Sequence, residues 1–191
     1  MVEHSAFAGA QAVTATQGGT TVRAIEPLSV VSVTAWRGQE AALADAVRAT
    51  FGLDLPQAGR WTAHAGLTAI WAGPGHWWLQ RGGRSALMQE LAALGDHAGL
   101  IDISDARAVL RLRGPLARDI LLGLLPLDLH PSVFTPGQVA STIAAHMTVQ
   151  VRQLDDKPTF DLSCLRSYAG SLWRALELAS AGPPRLSALS A

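Results

Sequence analysis

The chain has 191 residues, 49% hydrophobic and 16% charged, with fifteen basic residues against fifteen acidic ones. A neutral chain has no basic stripe to neutralise phosphates, which leaves nucleic-acid and anionic-membrane partners without electrostatic support. Cys164 is the single cysteine, so an internal disulfide framework is excluded, and no apolar run reaches the roughly 20 residues that span a bilayer.

The charged fraction lies below the roughly 25% of an ordinary soluble domain. Either the core is large for the length, or part of the surface is buried against another chain. Six tryptophans fit the second option, because Trp is enriched at interface hot spots. Taken singly, each reads as an ordinary core residue. The N-terminal segment lacks a basic n-region and a sustained apolar stretch, so the expected compartment is cytoplasmic.

Residues 1–26 are rich in Ala, Gly, Thr and Gln without a period and are expected to form a mobile arm. Leu28–Trp36 is β-branched and reads as a strand. Gln39–Phe51 follows as a helix with Leu43, Val47 and Phe51 on one face. Leu67–Ala72 and His76–Gln80 read as strands joined by a turn at Gly73-Pro74-Gly75. A helix over Arg84–Leu94 and a strand over Leu100–Ile103 complete a βαββαβ order, the ferredoxin-like pattern.

A second start comes at Ala108–Arg113, a strand, followed by Pro115 in a first helical turn and by Leu116, Ile120 and Leu124 at helical spacing. Thr142–His146, Thr148–Leu154 and the alternating Phe160-Asp161-Leu162-Ser163-Cys164 read as strands. A last helix opens near Ser167 with Tyr168, Leu172, Leu176 and Ala179 on its face. Two segments echo each other: WRGQEAAL…LDLP from Trp36 and LRGPLARD…LDLHP from Leu112. The expected architecture is therefore α+β, two ferredoxin-like α/β-sandwich lobes related by a pseudo-repeat, with antiparallel sheets. The lobes are expected over 27–104 and 105–182, with a mobile tail over 183–191.

The chain is quiet chemically. It lacks a phosphate loop, a G-x-G-x-x-G between strand and helix, and a G-x-S-x-G elbow. Cys164 sits mid-strand in an apolar alternation and reads as an inert buried thiol. The six histidines form no metal-ligand spacing. Asp102/Asp105 flank a strand turn and suit Asx-turn or cap hydrogen bonds, and Asp155/Asp156 read as a solvated hairpin turn, neither as an acid–base pair. No residue is assigned to catalysis, to a cofactor or to a metal.

Four ordered stretches carry a resemblance: IWAGPGHWWLQ from Ile70, IDISDARAVLRLRGPLARDILLGLLPLDL from Ile101, PSVFTPGQVAST from Pro131 and LRSYAGSLWRAL from Leu165. Together they resemble the gamma-subunit family of heterotetrameric sarcosine oxidase, which is related to the glycine-cleavage T-protein. The resemblance implies two α+β lobes and alpha, beta and delta partner subunits. FAD, FMN, NAD, tetrahydrofolate and zinc are implied in those partners and none of them in this chain. It implies an oxidative demethylation of sarcosine to glycine by the assembly, giving hydrogen peroxide and either formaldehyde or methylenetetrahydrofolate. The folate relatives' acidic catalytic motif has no counterpart here. Trp77, Trp78, Arg81 and Arg166 are the candidate interface anchors. Adjacent strand residues face opposite ways, so one of Trp77 and Trp78 is expected in the core and the other free for a partner. Arg166 equally suits a helix cap. A free-standing folate-binding protein, or a subunit of a related N-methyl amino acid dehydrogenase complex, remain alternatives.

Overall fold

The computed structural model describes residues 13–15, 17–25 and 28–181. The expected tail over 183–191 and residues 1–12 of the expected arm lie outside the described residues. The chain forms two units. The first lobe comprises Ile25–Arg107 with Gly137–Ser141; the second comprises Met1–Ala24, Ala108–Pro136 and Thr142–Ala191.

The chain begins with β1 (Val13–Ala15) and β2 (Thr21–Ala24). The first lobe then runs through β3 (Leu28–Ala35), α1 (Glu40–Phe51), β4 (Trp61–His64), β5 (Leu67–Gly73), β6 (His76–Gly82), the short α2 (Leu87–Glu90) and β7 (Ala98–Asp102). Its sheet has the order β4-β5-β6-β3-β7, with antiparallel pairing throughout. Without β4 this is the ferredoxin-like order that the βαββαβ pattern predicts. One sheet face carries Val31, Val33, Trp77, Leu79, Leu67 and Ala69 and packs on Leu43 and Val47 of α1 and on Leu87, Leu91 and Leu94. Alternation in the strands and helical spacing in the helices bury the same stripe from both sides.

The helix expected over Arg84–Leu94 is shorter than its pattern suggests. One α-turn, Leu87–Glu90, gives way to a 3-10 segment at Ala92–Asp96. No side chain caps the start, and Gly95 weakens the end. The apolar face survives because Leu87, Leu91 and Leu94 are all buried.

The second lobe has β8 (Arg107–Arg113), α3 (Ala117–Leu122), β9 (Val139–Ala144), β10 (Met147–Asp155), β11 (Thr159–Leu165) and α4 (Ala169–Ser180). Its sheet order is β1-β2-β8-β11-β10-β9. Leu110, Leu112, Phe160, Leu162 and Cys164 are buried on one face, and Leu172, Trp173 and Leu176 of α4 are buried with them. Tyr168 stays 42% exposed, and Ala169 takes the inward place expected for it.

The expectation of a mobile arm over 1–26 needs correction where the arm is described. β2 pairs antiparallel with β8, Val22 opposite Leu112, and Val22 is fully buried. Its partner lies some ninety residues away in sequence, so composition alone gives no hint of the pairing. Gly38 and Gly114, one in each copy of the Arg-Gly echo, both take positive φ, 77° and 136°.

Candidate functional site

Each lobe places a polar cluster on its strands. In the first lobe, the sheet face away from α1 carries Val30, Ile70 and Trp78, packed with Val139. Trp77 points the other way into the helix-covered core, and its indole N–H donates to the Pro56 carbonyl at 2.9 Å. The two indoles therefore do face opposite ways, as the strand geometry requires. Neither is left open on the chain, however: both are 9% exposed. Trp78 is covered because the guanidinium of Arg107 lies 3.9 Å from its ring centroid, a cation–π contact.

His76, at the start of β6, meets the Trp78 ring edge-on at 6.5 Å. Its Nε2 lies 2.8 Å from the Ser32 hydroxyl of β3. A serine–histidine pair invites a comparison with nucleophilic catalysis, but the electrostatics run the wrong way. Burial, and then the positive charge of Arg107, push the His76 pKa below its usual value. A general base must hold the proton it takes, and a neighbouring carboxylate normally supports it. Here a cation opposes protonation, so the pair works as a neutral hydrogen bond tying β6 to β3.

In the second lobe, Asp161 of β11 is 2% exposed and accepts from two guanidinium groups. Arg111 of β8 donates Nε and one terminal nitrogen at 2.7 and 3.0 Å; Arg152 of β10 donates at 2.8 and 3.3 Å. Burial alone would raise the carboxyl pKa. The hydrogen bonds and charges of Arg111 and Arg152 outweigh it and hold Asp161 below the ordinary carboxylate range. The cluster is a charged clamp across three neighbouring strands. Asp161 reads in the sequence as the outward half of a half-buried strand, yet that outward face is buried too.

The remaining sequence candidates fall apart in space. Arg81 of β6 reaches Glu90 of α2 at 2.6 Å. Arg166 is half-buried in the 3-10 turn that leads into α4. Asp102 accepts from the backbone and hydroxyl of Ser104 at 2.9 and 2.6 Å, the turn role expected for it. Among the described residues, no group of three His, Cys, Asp or Glu side chains is arranged to hold a metal, and no helix is long and apolar enough to cross a membrane. Sequence reasoning missed Ser32–His76 and the Arg111–Asp161–Arg152 clamp. The one available signal was three charged residues placed mid-strand in a chain with few charges.

Residues 37–182 match the family described as sarcosine oxidase, gamma subunit. The chain belongs to that family. It is 39% identical over 153 residues to a sarcosine oxidase subunit gamma of Arthrobacter sp., covering 77% of this chain and 72% of the relative. A subunit gamma of Corynebacterium sp. (strain P-1) is 38% identical with the same coverage. Among solved structures, a chain of the heterotetrameric sarcosine oxidase of Corynebacterium sp. U-96 superposes with a TM-score of 0.78 at 27% identity, covering 89% of this chain and 88% of that one. The glycine cleavage aminomethyltransferase T of Bartonella henselae shares the fold, at a TM-score of 0.57 and 15% identity over 44% of its length.

Proposed function

We propose that the chain is the gamma subunit of a heterotetrameric sarcosine oxidase and that it contributes structure while its partners carry the chemistry. The observation that carries this reading is the similarity to a chain of such a heterotetramer over nearly the full length of both. The partners are the alpha, beta and delta subunits, and FAD, FMN, NAD, tetrahydrofolate and zinc belong to them. The assembly takes sarcosine to glycine with oxygen as acceptor, releasing hydrogen peroxide and the one-carbon unit as formaldehyde or methylenetetrahydrofolate. The cytoplasm is the inferred compartment, in keeping with a lone thiol buried in the core. Of the four candidate anchors, Arg81 and Arg166 stay with the interface in this reading, while Trp77 and Trp78 are covered within the chain.

A free-standing folate protein would need a buried carboxylate open to the pterin. Asp161 is the most buried carboxylate in either cluster, and both of its oxygens are taken by Arg111 and Arg152. That occupancy favours the subunit reading over the folate one. Affinity capture of the tagged chain from its native host tests it. The expected result is co-purification of flavin-containing subunits with sarcosine-dependent peroxide release. A chain recovered alone that binds tetrahydrofolate saturably would overturn it.

A further inference from the structure

The two sheets are built to one plan. β8-β11-β10-β9 in the second lobe corresponds to β3-β6-β5-β4 in the first, and β2 beside β8 corresponds to β7 beside β3. The correspondence stops one strand further out. β2 carries β1 on its far side, paired antiparallel from Val13 opposite Arg23 to Ala15 opposite Thr21. β7 carries nothing there among the described residues. The opposite edge of the first lobe's sheet is closed within the lobe, where Arg60 bridges Gln138 and Trp61 donates to the Gly137 carbonyl.

The open edge is well formed. Trp36 N–H bonds the His97 carbonyl, and Ile103 N–H bonds the Val30 carbonyl. In antiparallel pairing such contacts alternate, so His97, Gly99, Ile101 and Ile103 address β3. Ala98, Leu100 and Asp102 then turn their N–H and C=O groups outward. Among the usual protections of an edge, β7 has no Pro, no Lys and no register shift against β3, and its one charged residue is Asp102 at its end. Beside it the side chains are apolar and uncovered. Trp36 is 52% and Ile101 64% exposed, and the Trp36 ring sits so close over Gly99 that an added Cβ would come within 3.2 Å of it.

Resting on the subunit reading above, we propose that an extended segment of a partner subunit adds to β7 as a sixth, antiparallel strand. Its apolar side chains lie over Trp36 and Ile101, and its basic residues lie beside Asp96 and Asp102. Charge selects this occupant over a second copy of the chain. Antiparallel pairing of β7 with itself about Gly99 would bring Asp96, at the end of the 3-10 segment before β7, close to Asp102 of the other copy, and like charges brought together repel. A basic, apolar-alternating segment meets both carboxylates and takes up the outward backbone groups, as strand addition does elsewhere.

Hydrogen exchange on the free chain and on the purified assembly tests this. The Ala98, Leu100 and Asp102 amides should exchange fast in the free chain and slow by about tenfold or more on assembly. The Ile101→Lys variant should keep the melting temperature of the free chain and lose most recovery of partner subunits. Partners that co-purify while these amides stay unprotected would overturn the strand addition and leave the subunit reading standing. Protection already present in a free homodimer would assign the edge to a second copy and overturn the proposal. Failure of any partner to co-purify would overturn the subunit reading, and the proposal with it.

Discussion

Asp161 shows how one buried charge is made tolerable. A lone carboxylate at 2% exposure would neutralise; two guanidinium groups on flanking strands keep it ionised. Replacing it by Asn removes the charge that balances the buried Arg152 and turns one accepting oxygen into an NH2 donor, so Asp161→Asn should cost about 3 kcal/mol at neutral pH, measured by denaturant unfolding. The pH dependence follows from the same geometry. A carboxyl held below its unfolded value of 3.8 binds fewer protons folded than unfolded. Its stabilisation is fully present above 3.8 and is lost as pH falls through the folded value. The variant should therefore lack that part of the acid destabilisation. His76 illustrates the converse, since burial and Arg107 keep it neutral and its hydrogen bond to Ser32 is that of an uncharged ring.

At the scale of elements, the Arg-Gly echo marks where each lobe's leading strand turns towards its helix. Gly114 needs its glycine twice over: its φ is 136°, and a Cβ there would stand 2.5 Å from the Thr20 Cα and 3.0 Å from the Gly19 carbonyl oxygen. Backbone cannot yield as a flexible side chain does. Gly114→Ala should destabilise the second lobe by about 3 kcal/mol, read as a shift in its denaturant midpoint. Gly38 also has a positive φ, 77°, but open space around it, so the two glycines are alike in the sequence and unequal in the fold. The apolar stripe of α1 was legible for a simple reason: helical spacing puts Leu43 and Val47 inward whatever lies opposite. The extent of α2 was not, because its Leu87, Leu91 and Leu94 face fits an α-helix and a broken α/3-10 segment equally.

On the whole-molecule scale, one strand is supplied from outside its lobe's run of sequence. β2, which precedes the first lobe in sequence, joins the second lobe's sheet beside β8, in the place that β7, the first lobe's own last strand, takes beside β3. Deleting residues 1–24 would therefore strip β8 of one of its two neighbours and expose the site filled by Val22. The expected outcome is a melting temperature lower by about 5 °C or more, by calorimetry; a dispensable arm would leave it unchanged. The sequence by itself determined the α+β class, the two-lobed repeat, the turn role of Asp102 and the membership of the gamma-subunit family, because each rests on local periodicity or on ordered motifs. Only the tertiary structure decided the place of β2 beside β8, the clamp on Asp161, the cover over Trp78 and the open edge at β7. Those depend on which strands become neighbours, and residues as far apart as Arg23 and Arg111 are opposed by sheet order alone.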